Sequence, residues 1–473
     1  MRARAFCATV GVLSVLTAAG CASSSSPKQA AGSTAPTTGS SRSTSTSTSG
    51  GQPAAWPTYH RDIARTGNSE SSPPAREIHK QWTSIELDGQ LNGEPLVVGT
   101  AVVAATENNT VYALDTASGA VRWSTHIGSP MAGSDLPCGD IDPSGITSTP
   151  VIDTVAGLIW VVAFVKPGVH QLVDLDLATG AIRGRRAVDP PGANPLEEQQ
   201  RGALTISGGQ VYVPFGGLFG DCGGFHGYVV SLPEQGGGPL RSWQVPTTRE
   251  GGIWAPPGPV VDGSGQLYVA TGNTESRSTF DVGNAVVRLT PDLRLADVFA
   301  PANWAELNSS DTDLGSVSPT LLPGGIVFQI GKAGIGYLLD AAHLGGVGGQ
   351  RFSSQVCSSA FGGTAVSGAV VYVPCRDGLV ALRVETGGSP AFATLWRGPS
   401  AAAGSPVVAG GWVWIVTLDG DLYGLDQSTG AVRFRDHLGD VGHFPSLGVG
   451  AGRLFAVTTN HVVGYSGRLN TRG

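Results

Sequence analysis

The sequence predicts an all-β protein: an eight-bladed β-propeller, with seven blades as the alternative count. Three observations predict it. Glycine (70 residues) and proline (31) are abundant without a collagen-like period, and they separate regularly spaced apolar runs. Many short strands joined by tight turns give that pattern. One strand–turn–strand phrase recurs along the chain, and the segment Ile78–Ser84 reads like the last strand of a copy that the C-terminal end lacks.

The phrase is clearest at Val111-Tyr112-Ala113-Leu114-Asp115, running into Ser118-Gly119-Ala120-Val121-Arg122-Trp123. It returns at Leu422-Tyr423-Gly424-Leu425-Asp426, running into Thr429-Gly430-Ala431-Val432-Arg433-Phe434. Looser copies lie at Leu172–Arg183, Gly336–Asp340 and Leu379–Gly387, and poorer ones at Tyr228–Leu232 and Val286–Leu289. A second apolar run precedes each: Val102–Thr106, Ile159–Phe164, Val211–Phe215, Leu267–Thr271, Ile326–Ile330, Val370–Pro374 and Trp412–Thr417. Alternate residues of such strands face opposite sides, so one small sheet cannot bury both faces alone. Sheets stacked radially at a period of about 40 to 60 residues can. The eighth copy stops after Leu454–Thr458 and His461–Tyr465. The strand predicted around Trp82 resembles Val121–Thr125 and would complete it, closing the ring and removing exposed sheet edges.

The N-terminus predicts export. Arg2 and Arg4 precede an apolar stretch, Phe6–Ala19, that is too short to span a bilayer permanently. Ala18-Ala19-Gly20-Cys21 resembles the lipobox of bacterial lipoproteins, which implies cleavage after residue 20 and lipidation of Cys21. An ordinary secretory signal is the alternative. Residues 21–55 are nearly all Ser, Thr, Gly, Pro and Ala, a composition that cannot repay ordering and reads as a tether. The propeller is expected over 56–473, on an extracytoplasmic protein held to the membrane by its lipid.

A net charge of −7 and the lack of Lys/Arg clusters argue against a nucleic-acid partner. Beyond Cys7 and Cys21, four cysteines remain, an even number that suits two disulfides in an oxidising compartment. Cys357 and Cys375 flank a hairpin turning near Ser367-Gly368, leaving Cys138 and Cys222 for a longer clasp. No Cys-x-x-Cys occurs and the histidines are scattered, so neither a zinc site nor a c-type haem is expected. Gly331-Lys332 is followed by Ala333 where a phosphate loop needs Ser or Thr, and no G-x-S-x-G elbow exists.

The Leu-Asp and Thr-Gly-x-x-x-Trp phrases resemble the pyrroloquinoline-quinone (PQQ)-like repeat family over nearly all of 56–473. The segment Trp56–Asp62, with Thr66-Gly67, is similar to that family's lead-in. The resemblance implies the fold and leaves two function classes open. One is the non-catalytic scaffold, as in BamB-like lipoproteins; the other is the quinoprotein alcohol dehydrogenase, with PQQ and calcium. Gly252-Ile253-Trp254 and Leu267–Asn273 resemble the dehydrogenase core. On that resemblance Trp254 would be the stacking floor, Asn273 a calcium ligand, Asp313 the catalytic base and Lys332 the cation beside the quinone oxygens. The calcium-binding glutamate is expected before Gly227-Tyr228-Val229. Cys222 stands there instead, with Asp221 beside it as the candidate ligand. Each of these residues also has a plain structural use, as blade-docking aromatic, turn former or strand-end charge.

The leading expectation is therefore a lipid-anchored scaffold. It would bind a protein or cell-envelope ligand through the insertions Gly128–Gly145, Pro190–Arg201 and Asp297–Asp313. The alternative is a PQQ- and calcium-dependent dehydrogenase of alcohols or sugars.

Overall fold

A computed structural model describes residues 55–69 and 75–467. The predicted leader, Cys21 and all of the tether but Ala55 lie outside the described residues.

Eight sheets with antiparallel four-stranded blades are formed, seven of them from neighbouring segments of the chain. Blades 1 to 7 span residues 96–126, 151–187, 205–244, 260–300, 320–355, 365–397 and 407–437. Blade 8 combines Leu447–Gly450, Arg453–Val457 and Val462–Ser466 with His79–Thr83 from the other end of the chain. There Trp82 lies opposite Gly464, and Lys80 opposite Tyr465. The expected closure and the count of eight both hold.

First strands are buried and touch the first strands of neighbouring blades, for example Leu96–Val98 against Leu447–Gly450. Fourth strands such as Val121–His126 alternate between half-buried and exposed. First strands therefore surround the axis and fourth strands form the rim. The fold is all β except for short helical turns; one, Trp304–Ser309, lies in the insertion expected at Asp297–Asp313, which begins only after Ala300, because Asp297–Ala300 belong to the fourth strand of blade 4.

The repeated phrase has a mechanical meaning. In blades 1, 2 and 7 the Leu-Asp aspartate caps the following turn. Asp115 accepts the amides of Ala117 and Ser118, Asp176 those of Ala178 and Thr179, and Asp426 those of Ser428 and Thr429. Each also pairs with the arginine seven residues on: Arg122, Arg183 or Arg433. The turn glycine then receives the tryptophan of the preceding blade: Trp82 on Gly119, Trp123 on Gly180, Trp396 on Gly430. Each indole N–H donates to a carbonyl of that turn at 3.2 Å, on Thr116, Leu177 and Gln427 respectively.

The lead-in segment fills the axis. Trp56 exchanges two hydrogen bonds with Val97 of blade 1. Carbonyls of Pro57, Ile63, Thr66 and Gly67 accept from Ile152, Val261, Val366 and Val408, in blades 2, 4, 6 and 7. Arg65 donates to Leu204 and Thr205, beside and within blade 3. A segment bonded to six first strands, or to the residues leading into them, must lie where those strands converge. Both expected disulfides form, Cys138–Cys222 and Cys357–Cys375, with Cα separations of 6.1 and 6.2 Å.

Candidate functional site in the axial cavity

Two kinds of connection share one end of every blade: fourth strand to next blade, and second strand to third. In blades 2 to 6 and 8 these connections surround a cavity of about 570 Å³. A cavity lined by six of eight blades sits on the axis. Asp221, Trp254, Asn273, Asp313 and Lys332 all face it, although they are scattered over 112 positions of sequence.

Trp254 lies in the connection between blades 3 and 4. Its segment is held by the Gly272 amide donating to the Gly252 carbonyl at 2.9 Å and the Gly251 amide donating to the Asn273 carbonyl at 2.8 Å. A Cβ on Gly272 would sit 3.1 Å from the Asp313 carboxylate and 3.3 Å from the Trp254 indole nitrogen. Glycine there lets the aromatic floor and the carboxylate approach each other.

Asp313 accepts the Asn273 amide at 2.7 Å on one oxygen and pairs with Lys332 at 2.7 Å through the other. Lys332 also donates to the Asp311 carboxylate (2.8 Å) and carbonyl (3.2 Å), and its Nζ lies 5.7 Å from the Trp254 ring centre. Its three N–H bonds are thereby engaged. Burial raises the Asp313 pKa, against the pull of Lys332. Burial works against the Lys332 charge, but Asp313 and Asp311 outweigh it and raise that pKa. Asp221 is pushed up by burial and by repulsion from Asp313 and Asp311. Burial, with Asp221 and Glu275 nearby, lifts Glu250 to about 7 despite Arg249; its carboxylate accepts from the Asn273 side chain at 3.4 Å.

These residues suit a planar quinone: an aromatic face, a fixed cation beside it, and a carboxylate within reach of both. Asp221 and Asn273, the candidate calcium ligands, both line the cavity, but among the described residues Asp221 has no two further acidic, histidine or cysteine side chains close enough to share an ion; the Cys222 sulfur is locked to Cys138, and Asp313 is paired with Lys332. Among the described residues, the group of three acidic, histidine or cysteine side chains close enough to share an ion is Cys357, Cys375 and Asp377, and its two sulfurs are bonded to each other.

Among the lining residues that the sequence does not mark are Arg201, Phe361, His443 and Phe444. Phe361 and Phe444 stack at 6.2 Å, and each lies within 6.4 Å of Trp254. They sit in connections that carry no repeat phrase, so no periodicity marks them.

A family model described as outer membrane protein assembly factor BamB matches residues 76–295 and 337–469, most of the chain. The chain belongs to this PQQ-like propeller family. Among solved structures, the propeller is similar to quinohemoprotein alcohol dehydrogenase from Comamonas testosteroni, at 17% identity over 89% of this chain and 81% of that one, with a TM-score of 0.66. It is similar to a europium-containing methanol dehydrogenase at 16% identity, 87% and 98% coverage and a TM-score of 0.67. BamB from Moraxella catarrhalis gives 16% identity, 82% and 99% coverage and a TM-score of 0.57. At these identities the likeness establishes the fold alone. No curated protein matches the propeller by sequence.

Proposed function

We propose that this PQQ-like propeller is a lipid-anchored extracytoplasmic protein that binds a planar quinone of the PQQ class in its axial cavity and oxidises an alcohol or sugar there. One observation carries the reading. Trp254, Asn273, Asp313 and Lys332, chosen from sequence on a resemblance to dehydrogenases, line one cavity, with Lys332 touching Asp313 and facing Trp254. That convergence moves the balance from the scaffold to ligand binding.

The quinone would supply a two-electron acceptor. Trp254 would offer the flat surface against which it lies. Lys332 would place positive charge beside the quinone oxygens, and Asp313 would take the alcohol proton at its carboxylate. No step is assigned to a metal, because among the described residues Asp221 has no two further such side chains close enough to share an ion.

The test is a titration of the purified protein with PQQ, with and without calcium, followed by dye reduction with simple alcohols. Stoichiometric quinone absorbance is expected, weakened about tenfold or more by Lys332→Ala. No uptake at micromolar PQQ would end the reading. The anchor is tested separately: Cys21→Ser should release the protein from membranes.

The scaffold reading keeps one specific observation. Phe219, 70% exposed, projects from the cavity rim beside the Cys138–Cys222 clasp. An exposed aromatic on a braced loop is suited to a protein partner.

A further inference from the structure

We propose that Arg201 is an anion anchor, and that the axial cavity takes a small organic acid whose carboxylate meets this guanidinium while its planar body lies along Phe444 and Trp254. The inference stands on Arg201 itself and does not require a quinone.

Arg201 enters from the connection between blades 2 and 3 and lines both the main cavity and a small gap beneath it. Its guanidinium carbon lies 4.5 Å from the centre of the Phe444 ring. Among the described residues it makes no hydrogen bond and no ion pair within 4 Å. Arg65, the buried arginine of the axial segment, gives the contrast: it donates to Thr58, Tyr59, Leu204 and Thr205. Arg201 is half-buried, and its five N–H donors, unmatched by protein acceptors, are left to solvent or a ligand.

The nearby carboxylates are engaged elsewhere. Glu107 accepts from Asn92 at 2.6 Å, the Gly145 amide at 2.7 Å and the Thr147 hydroxyl at 3.1 Å. Asp140 lies 3.6 Å from His443. Burial lowers the Arg201 pKa to about 10, while Asp140 and Glu107 favour its charge from a distance. Lys332, the other cation of the cavity, is occupied by Asp311 and Asp313. Arg201 is thus the cation whose donors remain open to a ligand.

The surface beside it is built for a flat molecule. Phe444 adopts a left-handed backbone (φ 51°), a conformation that bulky side chains avoid and that gathers at functional sites. It sets the ring 4.5 Å from the Arg201 guanidinium, stacked on Phe361 and tilted against Trp254, each at 6.2 Å. A fork of donors next to stacked aromatic faces matches a carboxylate on a planar ring.

Benzoate is the probe, with benzyl alcohol as its neutral analogue, both followed by calorimetry and tryptophan fluorescence on the full chain. Benzoate should bind in the millimolar range and benzyl alcohol should not compete. Arg201→Gln should weaken benzoate about tenfold or more while lowering the melting temperature only slightly, since a cation–π contact but no protein hydrogen bond is lost. Arg201→Lys should recover part of the affinity. Equal binding of benzoate and benzyl alcohol, benzoate binding unaltered by Arg201→Gln, or no benzoate binding at all would overturn the proposal. PQQ separates the sources of the acid: displacement of benzoate identifies the quinone's own carboxylates, and benzoate held on Arg201 and Phe444 beside a quinone that covers Trp254 identifies an acidic substrate. Benzoate binding in a protein that takes up no PQQ would remove the quinone reading and leave this one.

Discussion

Gly180 shows how a single residue fixes the join between two blades. Its backbone is left-handed (φ 72°), and a Cβ added there would lie 2.4 Å from the Trp123 ring. Gly180→Ala should therefore cost about 2–4 kcal/mol by combining backbone strain with overpacking, read as a lowered melting temperature. Glu94 illustrates a different residue-scale effect. It is buried in the axis, where it accepts from the Trp56 indole at 2.5 Å, the His60 amide at 2.8 Å and the Ser446 hydroxyl at 2.5 Å. Burial outweighs these donors and pushes its pKa up to about 7, while burial lowers His60 to about 3. A raised carboxyl contributes stability that is complete below its unfolded pKa near 4.5 and lost as pH rises through 7. The depressed histidine acts oppositely: its contribution is complete above about 6.5 and fades as pH falls toward 3. Over the shared window the two slopes offset each other. Glu94→Gln removes only the carboxyl's share, so the variant should gain on the native protein by about 1–3 kcal/mol between pH 4.5 and 8. A gap that stays flat with pH would show that Glu94 is ionised throughout.

At the scale of elements, the seam of blade 8 is the place to look for weakness. Val462–Ser466 has its outer partner from a segment 380 or more positions earlier, so loop entropy opposes the pairing. Trp82 closes that seam twice, covering Gly119 of blade 1 and Gly464 of its own sheet. Trp82→Ala should cost about 3–5 kcal/mol. Amide exchange should then rise first in Val462–Ser466, and only later in the strands of blade 4 across the ring. Uniform loss of protection would instead mean that the ring melts as one unit. The axial segment Trp56–Ser69 belongs to the same scale. Sequence marks it as a lead-in, whereas its carbonyls and Arg65 meet the first strands of several blades and occupy the channel.

Across the whole molecule, eight sheets supply the same two kinds of connection at one end, and the cavity exists only where those connections meet. This is why a resemblance at residues 252–273 and single residues at 313 and 332 add up to a site. Where the resemblance to dehydrogenases implies a glutamate, Cys222 stands instead and is bonded to Cys138.

The fold was legible in the chain because it is a local matter repeated. Asp115, the Ser118-Gly119 turn and Arg122 contact one another within eight residues, and each copy states the same contacts again. The half copy at the end and the stray strand around Trp82 then leave one economical closure. Trp254, Asn273, Asp313 and Lys332 were legible through resemblance, not through spacing. Arg201, Phe361 and Phe444 carry no local signature, because what defines them is which neighbours the ring brings against them. A free guanidinium over a ring and a lysine spent between two aspartates are facts of distance, and distances between remote connections are set only when the circle of blades has closed.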